Sequence, residues 1–135
     1  MSTSTRRRFI ATSAILTAAA TVSAIPLPTM KQNYPILHQV FFWLKNPGSA
    51  TDRAKLIAGL KTLAKIETVH SLRVGTVAAT EKRDVVDNSW EVSELMFFKD
   101  LAGQEIYQKH PIHLEFVKNC SHLWEKVTVF DSVEA

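Results

Sequence analysis

Nine residues constrain this chain more than any others: Ile36–Leu44, ILHQVFFWL. Their β-branched and aromatic side chains favour a strand. From Val40 to Leu44 every position is apolar, so both faces of that strand need cover. A chain of 135 residues has room for one ordinary domain to provide it. The periods that follow say how. Asn46-Pro47-Gly48 reads as a turn and Ser49 as a helix cap. Leu56, Ile57, Leu60, Leu63 and Ala64 then fall on one helical face. Val69–Ala79 reads as a second strand, with Gly75 marking a bulge. Residues 80–88 form a charged connection, and Ser89–Lys99 a third strand. Alternation along it puts Trp90, Val92, Glu94, Met96 and Phe98 on one face.

Asp100 can cap a helix running to about Lys109. Pro111 then forces a break, because proline excludes helical backbone at His110 and has no N–H to bond back to Tyr107. Proline also suits the first turn of a new helix, expected from Pro111 to about Ser121. Leu123–Ser132 reads as the fourth strand. The order β-α-β-β-(broken α)-β predicts an α+β fold: a ferredoxin-like four-stranded antiparallel sheet with helices on one face. The other sheet face stays apolar, and a second copy packed sheet to sheet would cover it, making a homodimer and a dimeric α/β barrel.

The N-terminus has a different logic. Arg6, Arg7 and Arg8 precede a short, mildly apolar run, and Val22-Ser23-Ala24 offers small residues for cleavage. That order predicts an export signal over residues 1–24, and Ser-Thr-Arg-Arg-Arg-Phe-Ile around Arg6–Ile10 resembles the twin-arginine type. An exported chain would be periplasmic or extracellular. The apolar run is too short for stable membrane insertion. Residues 25–35, with three prolines, read as an extended leader, leaving 36–132 as the domain. Removing the three arginines takes Lys+Arg from 16 to 13, equal to the 13 Asp+Glu. The basic excess therefore gives no reason to expect a nucleic-acid partner. One cysteine, Cys120, excludes an internal disulfide framework. It reads as a small buried apolar residue.

Candidate chemistry concentrates in Tyr107-Gln108-Lys109-His110-Pro111-Ile112-His113. His113 falls in the first turn of the new helix, where the macrodipole disfavours positive charge, so a neutral, proton-accepting imidazole is expected. Tyr107 could donate a hydrogen bond from across the break. A base and a donor on one small apolar pocket suit lyase, cyclase or isomerase chemistry on a carbonyl compound without a cofactor. The same residues could equally serve a non-catalytic binding module, or His110 could simply cap its helix. The histidines could also hold a metal or haem, although Pro111 splits the His110/His113 pair and no motif demands either. Asp131 could orient a pocket histidine or merely end its strand. His70 reads as a sheet-surface residue and His122 as part of a connection.

Tyr107-x-x-His110-Pro111-x-His113-x-x-Phe116, followed by Leu123-Trp124-Glu125-Lys126-Val127-x-Val129-Phe130-Asp131, resembles the stress-responsive A/B barrel domain (Dabb) family. His38 and Val74-Gly75 fit the same pattern. The resemblance implies a ferredoxin-like dimeric α/β barrel. It also implies that Tyr107 and His113 act together, as in a plant branch similar to olivetolic acid cyclase, with His38 near the same pocket. His38, His110, Phe42, Trp90 and Phe116 are then the expected substrate-binding residues, with Tyr107 and His113 catalytic.

Overall fold

Strand β1, Ile36–Leu44, lies inside a four-stranded antiparallel sheet of order β2-β3-β1-β4. The computed structural model describes residues 18–21, 23–25 and 33–135. Most of the expected export signal, and residues 26–32 of the expected leader, lie outside these. Residues Gln32–Ala135 form the unit described below. Its remaining elements are α1 (Ala50–Lys61), β2 (Ser71–Gly75), β3 (Val92–Phe98), α2 (Leu101–Lys109), α3 (Pro111–Cys120) and β4 (Trp124–Val133). Short 3-10 turns follow α1 and α3.

Each boundary has a local cause. Gly48 adopts φ 78°, which a side chain would strain, and its N–H donates to Glu91 Oε1 at 2.7 Å. The Ser49 hydroxyl accepts from the Asp52 N–H, and the Asp100 carboxylate accepts from the Gly103 N–H. His110 has extended backbone (φ −64°, ψ 138°) between α2 and α3, as its place before Pro111 requires.

Three strand boundaries differ from expectation. β2 is shorter, Ser71–Gly75 rather than 69–79, and Gly75 ends it in register with Ser93 rather than bulging. The irregularity falls instead between Trp43 and Leu44, against β4. β3 begins at Val92 rather than Ser89, while the Glu91 carboxylate accepts from the N–H groups of Leu44 and Gly48. β4 begins at Trp124 and runs one residue further, to Val133.

Alternation along β1 is regular: Ile36, His38, Val40, Phe42 and Leu44 are buried under the helices. With Leu56, Leu60, Leu63, Met96, Phe98, Tyr107 and Phe116 they form the core, and Cys120 is buried among them. The opposite face carries Leu37, Phe41, Trp43, Leu95 and Phe97, all half-buried, with Phe130 exposed. Lys126 Nζ lies 4.3 Å from the Trp43 ring centroid on that side.

Candidate functional site

Two polar residues interrupt the core face of the sheet. His38 on β1 and Glu94 on β3 are the only buried polar or charged side chains among the described residues, 5% and 1% exposed. Burying ionisable groups is costly unless something uses or satisfies them. The strand registers bring their partners. Asp131 on β4 sits opposite His38, and its Oδ1 lies 2.5 Å from His38 Nδ1. A proton on Nδ1 shared with that carboxylate leaves Nε2 as the acceptor nitrogen. His38 Nε2 lies 4.0 Å from Glu94 Oε1.

Tyr107 enters from the last turn of α2, and its hydroxyl donates to Glu94 Oε1 at 3.2 Å. Burial pushes the Glu94 carboxyl up to about 7, with the Tyr107 bond opposing that rise. Burial first, and then the adjacent Glu94 charge, hold the Tyr107 phenol well above its ordinary range.

His113 arrives across the proline break. Its ring centroid is 4.6 Å from that of Tyr107, and the His38 and Tyr107 centroids are 5.5 Å apart. His113 Nδ1 lies 3.0 Å from the carbonyl oxygen of Gln108. A carbonyl can only accept, so Nδ1 carries the hydrogen and the lone pair is on Nε2. Half-burial lowers the basicity of the ring, the Gln108 carbonyl opposes this, and His38 adds to the lowering. The sequence attributes a neutral His113 to the helix dipole; burial is the larger cause.

His38, Glu94, Tyr107 and His113 border a cavity of about 160 Å³ between the sheet and the helices, with Phe42, Phe116 and Trp124 among its apolar walls. A cavity of roughly 150 Å³ accepts a benzene-sized molecule. His38, Phe42, Tyr107, His113 and Phe116 of the expected residues meet there.

Two do not. Trp90 lies on the opposite face of the sheet, its ring centroid 5.0 Å from that of Phe41. The reason is that β3 starts only at Val92, so strand alternation does not extend back to Trp90. His110 turns away from the cavity: Nδ1 accepts from the Ile112 N–H, capping α3, and Nε2 contacts Glu67 at 3.1 Å. His70 is exposed beside β2 and stacks on Tyr34. His122 lies in the turn before β4. Among the described residues no three His, Cys, Asp or Glu side chains converge to hold a metal ion, and no helix is long and apolar enough to cross a membrane.

Glu94 is the residue that sequence reasoning missed. Its signal was present, a carboxylate alternating with Val92, Met96 and Phe98 on an apolar face. Of the two roles open to Asp131 in the sequence, the register of β4 against β1 gives it the first, with His38 as the histidine it meets.

The comparisons agree with this architecture. A ferredoxin-like Dabb family protein from Mesorhizobium loti is 25% identical, covering 74% of this chain and 96% of its own, with a TM-score of 0.61. A hydroxynitrile lyase from Passiflora edulis is 23% identical, covering 76% and 96%, with a TM-score of 0.62. A dimeric ferredoxin-like protein of unknown function from Bacteroides fragilis is 19% identical, covering 75% and 97%, with a TM-score of 0.59. No curated protein matches the chain. The sequence profile of the stress responsive A/B barrel domain matches residues 36–134. With that match over most of its length and a four-stranded sheet under three helices, the chain belongs to the stress responsive A/B barrel domain (Dabb) family.

Proposed function

We propose that the cavity takes a small, uncharged carbonyl compound and performs cofactor-independent proton-transfer chemistry on it. The reading rests chiefly on one observation: Tyr107 and His113, on separate helices, have ring centroids 4.6 Å apart and border one apolar cavity. The His113 Nε2 lone pair removes a proton from the carbon beside the carbonyl, or from a hydroxyl on the next carbon out, whose bond to the first then breaks to leave an enolate. The Tyr107 hydroxyl donates to the carbonyl oxygen as charge develops there. The imidazolium then returns the proton, completing an isomerisation, a condensation or a carbon–carbon cleavage. The named activity of the Passiflora edulis relative is chemistry of this last kind.

The least demanding test is exchange of the acetophenone methyl hydrogens with D2O, followed by proton NMR. The protein accelerates this exchange well beyond free imidazole at equal concentration. Exchange no faster than with imidazole contradicts the catalytic reading. Tight binding of acetophenone without acceleration would favour a non-catalytic binding module.

The protein is proposed to act as a homodimer, exported by the segment that precedes the domain. Phe41 and Trp43 on the outer sheet face support the first part, because a half-buried aromatic surface of that kind is unusual on a monomer. Dimeric relatives point the same way. Phe41→Asp places a charge at the middle of that face and is expected to convert the dimer to monomer in analytical ultracentrifugation. A wild-type monomer, or an unchanged dimer in the variant, overturns the assignment.

A further inference from the structure

We propose that Glu94 is the proton source of this site, passing its carboxyl proton through the Tyr107 hydroxyl to the oxygen of an uncharged carbonyl ligand. The inference rests on the reading above and assigns the one buried carboxylate that reading leaves idle.

The geometry carries it. Glu94 is 1% exposed, and its Oε1 is the acceptor of the Tyr107 hydroxyl at 3.2 Å. While Glu94 is ionised, the phenol hydrogen is held there and is not offered to a ligand. Once Glu94 is protonated, its O–H can donate to Tyr107 Oη, and the phenol hydrogen turns to the carbonyl oxygen. In the reaction the phenol O–H bond breaks as the new O–H bond forms on the ligand. The Glu94 O–H bond breaks as the phenol O–H re-forms. The negative charge ends on Glu94, and no phenolate is left. That matters because a phenolate beside a buried carboxylate is doubly disfavoured, by desolvation and by like charge. Glu94 acts through Tyr107 and is therefore a positioning residue.

The surroundings of Glu94 allow it both protonation states near neutrality. β1 presents His38, which is tied to Asp131 of β4. α2 presents Tyr107, with His113 of α3 beyond it. β2 places Val74 opposite Glu94, and α1 contributes buried Leu56 and Leu60 to the same core. The carboxyl lies at about 7 in this setting. Among the described residues no lysine or arginine lines the cavity, so a ligand carboxylate would have no counter-charge.

Equilibrium dialysis of the full chain with acetophenone, which has no charge to titrate, tests the assignment. The wild-type dissociation constant is expected to rise about tenfold between pH 6 and 8, following loss of the Glu94 proton. Glu94→Gln keeps a donor towards Tyr107 and binds tightly with no pH dependence. Tyr107→Phe binds weakly at every pH. Benzoate, the same ring with a charge, fails to bind wild type. If wild type binds acetophenone equally at pH 6 and 8, or Glu94→Gln keeps the wild-type pH dependence, the proton-source role is overturned and the carbonyl pocket stands. Absence of acetophenone binding at any pH overturns both.

Discussion

Replacing His113 by alanine is expected to slow acetophenone exchange by 10²-fold or more, about the contribution of a positioned general base. The structure makes the loss specific. Gln108, one residue after Tyr107, fixes the His113 tautomer through its carbonyl, so the missing lone pair is the one on Nε2. Burial lowers the basicity of the ring, so it is unprotonated at pH 7. On the acid side wild-type activity therefore falls only below the ordinary histidine range, as His113 takes up a proton; on the alkaline side it falls as Glu94 loses the proton it passes to Tyr107. The alanine variant leaves a gap beside Tyr107 that free imidazole can enter. Added imidazole should restore part of the exchange in His113→Ala and do little for Tyr107→Phe. Equal rates in wild type and His113→Ala, both folded by circular dichroism, remove His113 from the mechanism.

The second large effect is on stability. Glu94 has an ordinary value of 4.5, raised to about 7 in the fold. The folded chain therefore holds a proton that the unfolded chain has released between those values. The stability linked to Glu94 is fully present below about pH 4.5 and is lost as pH rises through about 7. The shift corresponds to roughly 3–4 kcal/mol of strain on the charged form above pH 8. Glu94→Gln removes the ionisation and keeps the shape. It should stabilise the protein by about that amount at pH 8 and change it by less than about 1 kcal/mol at pH 5. Urea denaturation at the two pH values measures both. A variant less stable than wild type at pH 8 would mean that the Glu94 carboxylate is well satisfied in the fold.

How much of this was legible in the sequence depends on how local each cause is. The helix break at His110–Pro111 follows from proline's own geometry and was readable there. So was the sheet-and-helix order, because each element carries its own period. The start of β3 was not: Glu91 turns its carboxylate to the Leu44 and Gly48 N–H groups, a partnership 43 to 47 residues away in sequence. The misplacement of Trp90 follows from that one boundary. The His38–Asp131 pair depends on the register of β1 against β4, which periodicity cannot supply. Glu94 lay in plain view as the one charge in an apolar alternation, and burial makes that position consequential.

The placement of a ligand between Tyr107 and His113 can be observed directly. In NMR of the full chain with 13C-methyl acetophenone, nuclear Overhauser contacts are expected from the ligand methyl to both the Tyr107 ring and the His113 ring. Contacts to Trp90 and Phe41 on the outer face of the sheet, with none to Tyr107 or His113, would contradict it.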